Sequence, residues 1–328
     1  MTRLGYQIPN FTYPGVASTA LFETIARQAS EADSSGFDTV LVMDHFYQLP
    51  MLGSADQNML ECYTLLAGLA GRTNRVRLSA LVTGNTYRNP AVLAKTVTTL
   101  DIVSGGRAQL GIGAGWFELE HTAFGIEFGT FTDRFEKLEE ALQIIIPMLR
   151  GEQATLDGKH YTVVDAMNVP VPLQRVPVMI GGGGERKTLR MVAQYADESN
   201  IIAERADLSR KLDALAEHCA RLGRDRSEIT VSWQRTACIA PTMEQAEADL
   251  GVYFSSRGLD LNALSDDERA FFLSRFIIGD PDTVGEQLAA DLATGVDGFT
   301  INMPANGHIP GRVELLGQTA SKVVFSQV

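Results

Sequence analysis

The sequence predicts an α/β protein of the (β/α)8 TIM-barrel class, and three observations carry that prediction. Strand-like apolar runs alternate with amphipathic helical stretches along nearly the whole chain. Several of those runs are almost continuously apolar, as expected of parallel strands covered on both faces. One joint also recurs near the two ends: Gly36-Phe37-Asp38 leads into Thr39-Val40-Leu41-Val42 much as Gly295-Val296-Asp297 leads into Gly298-Phe299-Thr300-Ile301. In each, a glycine stops a helix and the chain turns directly into a buried strand, which suggests one barrel that begins and ends alike. The alternation by itself also admits a doubly wound open sheet.

Eight strands are expected: Arg3–Ile8, Phe37–Met43, Val76–Val82, Ala108–Gly113, Val176–Ile180, Glu198–Ile202, Ile229–Ile239 and Gly298–Met303. Between them, Leu21, Phe22, Ile25, Ala26, Ala29 and Ala32 share one helical face, as do Leu208, Leu212, Leu215, Cys219 and Leu222, with Gly223 as the closing residue. Asp280-Pro281 reads as an N-cap with proline in the first turn. A barrel needs about 250 residues, so roughly 80 of this chain are left for insertions. They are expected at about 44–58, 114–130, 151–175 and 257–279 of a single domain spanning 1–328. Ala154–Val164, centred on Asp157-Gly158, reads as a β-hairpin, and Phe117–Gly129 as loop.

Composition narrows the partners. The net charge is −12 over 328 residues, which argues against nucleic acid or an anionic membrane surface, because neutralising phosphates needs a basic face. No apolar run approaches a membrane span, and the N-terminus lacks the apolar core of a secretory signal, so a cytoplasmic protein is expected. Cys62, Cys219 and Cys238 are too scattered for a disulfide framework or a metal knuckle, so buried thiols and no metal are expected.

Barrel enzymes place chemistry at the C-terminal ends of strands. After the second strand stand Asp44-His45, where the imidazole can act as a base, donate a hydrogen bond or sit passively. The third runs into the polar loop Thr83–Pro90, in which Asn89-Pro90 marks a helix start. The fourth ends in Gly111-Ile112-Gly113-Ala114-Gly115-Trp116, whose glycines would let a flat ligand approach the backbone, with Trp116 either a pocket wall or core. It is no dinucleotide fingerprint, since no acid ends a suitably spaced neighbouring strand. The fifth runs into Gly181-Gly182-Gly183-Gly184-Glu185-Arg186-Lys187 at a helix start. Exposed N–H groups, the helix dipole and two cations suit a phosphate there, although the P-loop ending Gly-Lys-Ser/Thr is missing.

Taken in order, Asp44-His45, Thr86-Tyr87-Arg88-Asn89-Pro90-Ala91, the Gly111–Trp116 run, Glu120-His121 with Phe124-Gly125, the four-glycine loop and Gly279-Asp280-Pro281-Asp282…Gly295-Val296-Asp297-Gly298 resemble the luciferase-like monooxygenase superfamily. The resemblance is closest to its deazaflavin-dependent branch. It implies a homodimeric (β/α)8 enzyme that holds coenzyme F420, or alternatively FMN, at the strand ends and acts on a small organic substrate. Asp44 and His45 would line the ring pocket, with His45 the acid or base and Asp44 orienting it or the ring. Ala80–Leu81 would form a bulge, often with a non-prolyl cis peptide, against one ring face, with Thr83 and Gly113 nearby. Gly181, Gly182 and Gly183, helped by Arg186, would bind the cofactor phosphate, and Trp116, Glu118 and His121 would face substrate. One departure is Ala114, where some relatives carry an acid that protonates the ring. A proton donor here would be His45, Glu118, His121 or solvent. Two rival readings are an FMN-dependent monooxygenase fed by a separate reductase and a non-catalytic flavin-binding homologue.

Overall fold

The computed structural model describes residues 3–261 and 263–325. Eight parallel strand positions close on themselves: β1 (Leu4–Ile8), β2 (Thr39–Val42), β3 with its continuation β4 (Arg77–Ala80 and Thr83–Gly84), β5 (Ala108–Gly113), β8 (Val178–Gly181), β9 (Glu198–Ile201), β10 (Thr230–Ile239) and β12 (Gly298–Asn302). β12 pairs with both β10 and β1, and β10 with β9, so the sheet has no open path through it and the doubly wound alternative is excluded. The outer ring is built from α1 (Leu21–Ser34), α2 (Cys62–Ala70), α3 (Pro90–Ser104), α5 (Phe131–Leu149), α6 (Thr188–Tyr195), α7 (Leu208–Leu222), α8 (Met243–Ser255), α10 (Pro281–Leu292) and α11 (Arg312–Phe325). None of the described helices is long and apolar enough to cross a membrane.

The period of two along each strand separates two environments. Leu4, Tyr6, Val40, Val42, Leu78, Leu110, Val178, Ile180, Phe299 and Ile301 pack outward with the helices in the main core. The alternate positions, among them Gln7, Gln109, Asn200, Ser232 and Thr300, are buried polar residues that face the barrel axis. Some of them bond one another across the axis: Asn200 Nδ2 donates to Ser232 Oγ at 3.0 Å and to Thr300 Oγ1 at 3.1 Å.

The recurring joint has a purpose at the N-terminal rim. Asp38 Oδ2 accepts the N–H groups of Arg3 (2.8 Å) and Leu4 (2.9 Å), and Asp297 Oδ2 accepts that of Val231 (2.7 Å). Asp197, ahead of β9, does the same for Val178 at 2.9 Å. Each carboxylate pins the first N–H groups of the strand next door, and Gly36 (φ +109°) and Gly295 (φ +97°) make the turns that bring the acids there.

Helix boundaries follow local chemistry. Asn89 caps α3 through Ala91 N–H with Pro90 in the first turn, Asp280 caps α10 through Thr283 N–H, and Gly223 closes α7 at φ +65°. The hairpin is present as antiparallel β6 (Ala154–Asp157) and β7 (Thr162–Ala166). Two readings are corrected. Phe117–Gly129 is not all loop: Glu118–Phe124 forms helix α4, with acids in its first turn and Gly125 ending it at φ +67°. Leu222, placed on the buried face of α7, is half exposed because it lies in the last turn, beyond the neighbours that cover Leu215 and Cys219. Residues 257–279 hold α9 (Asp266–Leu273) and β11 (Ile277–Gly279), which pairs with the far end of β10. All three cysteines are buried free thiols.

Candidate active site

The third strand does not run straight to its end. Ser79 pairs with Gln109, but Thr83 pairs with Ile112, so four steps on one strand match three on the other. The extra residue makes a bulge at Leu81-Val82, whose peptide bond is cis. Glycines on the neighbouring strands make room for it. A Cβ on Gly111 would lie 2.0 Å from Ala80 O, while Cβ atoms on Gly113 and Gly181 would meet the Val82 methyls at 2.8 and 2.6 Å. Gly113 and Gly181 therefore serve the bulge directly, and β3, β5 and β8 meet there with no side chain from either glycine. Thr83 turns away: it is fully buried, and its hydroxyl bonds that of Tyr63 at 2.7 Å.

Two buried carboxylates organise the next sector. Asp44, 2% exposed, receives both Arg88 Nη1 (2.7 Å) and Nη2 (3.0 Å), plus Gly84 N–H at 3.0 Å. Burial pushes the Asp44 carboxyl above its ordinary value, and the Arg88 guanidinium offsets only part of that rise. Arg88 also reaches Glu61 at 2.6 Å and lies over the Tyr63 ring.

The second carboxylate is Glu120, and it corrects the expected partner of His45. His45 Nδ1 lies 2.8 Å from Glu120 Oε2, not on Asp44. Glu120 also accepts from Tyr87 Oη at 2.5 Å, from Tyr47 N–H at 2.8 Å and from Phe46 N–H. Burial alone would raise the Glu120 carboxyl, but the bonds from His45, Tyr87 and Tyr47 outweigh it and hold it below the usual carboxylate range. Burial and that same anion push the Tyr87 phenol well up, so it stays a donor. With Nδ1 bonded to Glu120, His45 makes no hydrogen bond through Nε2 among the described residues, and its ring is held edge-on by Trp116 and Phe117.

The remaining expected substrate-facing residues divide. Trp116 is half exposed on the rim, stacked on Phe117, and Glu118 is exposed at the start of α4. His121 is fully buried with Nε2 on Thr86 Oγ1 (2.7 Å) and Nδ1 on Phe117 O (2.9 Å), so it braces the insertion and does not line an open pocket.

At the glycine loop, Gly182 (φ +120°) gives its N–H to Asn200 O. The N–H groups of Gly183, Gly184, Glu185 and Arg186 make no hydrogen bond among the described residues, and Arg186 is exposed beside them. A Cβ on Gly183 would sit 3.0 Å from Ile202 O and 3.2 Å from Lys211 Nζ, which donates to Gly183 O at 2.6 Å. Free N–H groups, a position that tolerates little beyond hydrogen, and nearby cations fit a phosphate.

Sequence reading missed Tyr87, Arg88 and Lys211, and gave Glu120 no role. The adjacent Tyr87 and Arg88, splayed to two different carboxylates, offered the one local clue.

Residues 2–298 match the family model for luciferase-like monooxygenases, and the chain belongs to that family. It is similar to the F420-dependent glucose-6-phosphate dehydrogenase of Microbacterium testaceum (strain StLB037), 31% identical over 300 residues, 84% of this chain and 85% of that protein. Among solved structures, the monooxygenase RslO1 from Streptomyces bottropensis shares the fold with a TM-score of 0.81 at 18% identity, covering 99% of both chains. An F420-dependent secondary alcohol dehydrogenase in complex with an F420-acetone adduct does so with 0.77 at 19%, covering 98% of this chain and 99% of that one.

Proposed function

We propose that this protein is a coenzyme F420-dependent oxidoreductase that moves a hydride between the deazaflavin C5 and a small organic substrate. The observation that carries the reading is the His45–Glu120 pair, which engages one imidazole nitrogen and leaves the other without a partner among the described residues, just beyond the C-terminal end of β2. The glycine loop supports it, as does the similarity to enzymes named for the same cofactor. The phosphate would sit on the N–H groups of Gly183–Arg186, and the ring against the backbone of Ala80–Thr83. When bound, the deazaflavin supplies the carbon that accepts or gives the hydride.

The chain's own residues supply the rest. Glu120 accepts Nδ1–H of His45 and so fixes the tautomer in which Nε2 can take a proton from a substrate hydroxyl or return one. With Ala114 where an acid could stand, that task falls to His45. Asp44, bonded on both oxygens, is a strut that locks the exit of β2 to the loop after β4 through Arg88 and Gly84. The stacked Trp116–Phe117 pair packs edge-on against the imidazole and supports its orientation.

Titrating the purified protein with F420 and FMN side by side tests the reading. Tighter F420 binding and substrate-dependent reduction are expected. Preference for FMN with oxygen consumption would instead place the protein among the monooxygenases, and binding without turnover among the non-catalytic homologues.

The same proposal includes a homodimer in the cytoplasm. Val164, Met167, Val169, Val171 and Leu173 are each at least half exposed along one segment, an apolar surface suited to a second copy, and three free thiols suit a reducing compartment. Sedimentation showing a monomer at micromolar concentration would remove the dimer.

A further inference from the structure

Three consecutive residues after β4 end on three different partners. Thr86 Oγ1 bonds His121 Nε2, Tyr87 Oη donates to Glu120, and Arg88 holds Asp44. The first two partners are neighbours on α4, so Thr86-Tyr87 fastens this loop to Glu120-His121 residue by residue. Space for the phenol ring comes from Gly84, where a Cβ would lie 2.5 Å from Tyr87 Cε2. Phe46 and His121 pack against the same ring, with centroids at 4.7 and 4.9 Å. The hydroxyl is thus aimed by packing as well as by its bond.

The two Glu120 oxygens divide their donors. Oε1 takes the N–H groups of Phe46 and Tyr47, and Oε2 takes Tyr87 Oη at 2.5 Å and His45 Nδ1 at 2.8 Å. A carboxylate has about four lone-pair sites, so its acceptor capacity is filled. Two donors on one oxygen turn their positive hydrogens toward each other as well as toward the anion. The phenol therefore offsets part of the attraction that Glu120 exerts on a protonated imidazole. The other ionisable groups nearby are committed elsewhere. Asp44 and Glu61 face Arg88, and both His121 nitrogens are bonded. Tyr47 meets Glu120 through its backbone, Glu118 is exposed, and Trp116 and Phe117 bring no charge.

We propose that Tyr87 is a positioning residue for His45, acting through Glu120 Oε2 to fix the imidazole and to restrain how strongly Nε2 holds a proton. A group that both takes and returns a proton must not hold it too tightly. The value of this restraint in turnover rests on the hydride-transfer reading; the coupling of the three side chains does not.

The test follows the His45 imidazole by NMR through a pH titration of the full protein, with the signal assigned from its loss in His45→Gln. Tyr87→Phe keeps the ring and removes only the hydroxyl, and its titration midpoint is expected about 0.5 pH unit above the parent's. Glu120→Gln removes the anion from the same contact, and its midpoint is expected to fall by about 1 pH unit. A merely structural contact would not give opposite signs at one oxygen. An unmoved or lower midpoint in Tyr87→Phe overturns the proposal, even if the melting temperature drops. Should that variant fail to fold, 3-fluorotyrosine at position 87 carries the comparison. Fluorine makes the hydroxyl a stronger donor, so the midpoint is expected to fall, and a rise or no change rejects the proposal. Repeating the titrations with F420 bound separates the two readings. F420 is expected to move the midpoint in both proteins while the difference between them persists. If the difference persists and F420 moves neither, Tyr87 keeps its role while His45 is taken away from the ring, and the hydride-transfer reading falls.

Discussion

Glu120 Oε2 lies 2.8 Å from His45 Nδ1 although 75 residues separate them in the chain, while Asp44, the acid next door, makes no bond to that ring. Successive residues leaving a strand point to opposite sides, so His45 and Asp44 diverge. One meets the insertion after β5, the other the loop after β4.

This arrangement predicts how stability responds to acid. Because the Glu120 carboxyl is held below its ordinary value when folded, it contributes stability that is fully present above about pH 4.3 and is lost as pH falls through the folded value. Glu120→Gln lacks that contribution; its carbonyl oxygen can keep the Phe46 and Tyr47 N–H groups, but its NH2 then faces His45 Nδ1 and Tyr87 Oη, which lose their anionic acceptor. It is expected to be less stable at pH 7 by about 1–3 kcal/mol, with a flatter decline below pH 4.3. Urea melts from pH 7 to pH 3 check this; parallel curves for the two proteins would contradict it.

Arg88 holds a buried anion. Replacing it with Met leaves Asp44 with one N–H donor and no counter-charge, and removing one partner of a buried pair costs about 3–5 kcal/mol. Arg88→Met is therefore expected to melt far below the parent, and Arg88→Met with Asp44→Asn to regain part of the loss. A single variant as stable as the parent would show that the pair is not needed to hold β2 to the loop after β4.

Much of this architecture was legible from local chemistry. Asn89-Pro90, Asp280-Pro281 and Gly223 act where their side chains or φ angles require, and Gly36 and Gly295 revealed a repeated joint. The third copy, at Asp197, has no glycine before it and so passed unseen. The site was legible only as positions. His45 could be placed at a strand end, but its orienting acid depends on α4, seven residues too short to show a period. Gly113 was read as letting a flat ligand approach and Gly181 as part of a phosphate loop, whereas the Val82 methyls occupy the space their side chains would need. That substitution of one neighbour for another is decided across strands and has no sequence signature.

The glycine loop gives a prediction about affinity. Valine at position 183 would push a Cβ to 3.0 Å from Ile202 O and 3.2 Å from Lys211 Nζ, shifting the loop whose N–H groups are free. An unmade charge-assisted bond costs roughly 1.5–3 kcal/mol, so Gly183→Val is expected to weaken F420 binding by about tenfold or more. Fluorescence titration measures it, and an unchanged Kd in a folded variant would take the loop out of the cofactor site.

His45 separates catalysis from architecture. Its ring meets the stacked Trp116–Phe117 pair edge-on, and one nitrogen is committed to Glu120, yet Nε2 has no partner among the described residues. His121, by contrast, has both nitrogens bonded, to Thr86 Oγ1 and to Phe117 O. A positioned acid or base contributes about 10²–10⁴-fold, or roughly 3–5 kcal/mol at the transition state. His45→Ala is expected to bind F420 within a few-fold of the parent and to lose about 10²-fold or more in the single-turnover rate of hydride transfer. It also removes one of the four donors to Glu120, so some loss of melting temperature is expected, and the rate must be taken per folded molecule. Glu120→Gln keeps the imidazole but loosens its orientation, and its rate is expected to fall between the two. A His45→Ala variant that turns over at the parental rate would make the imidazole scaffolding, and the proton would then have to reach the substrate through Glu118 on the rim or through solvent.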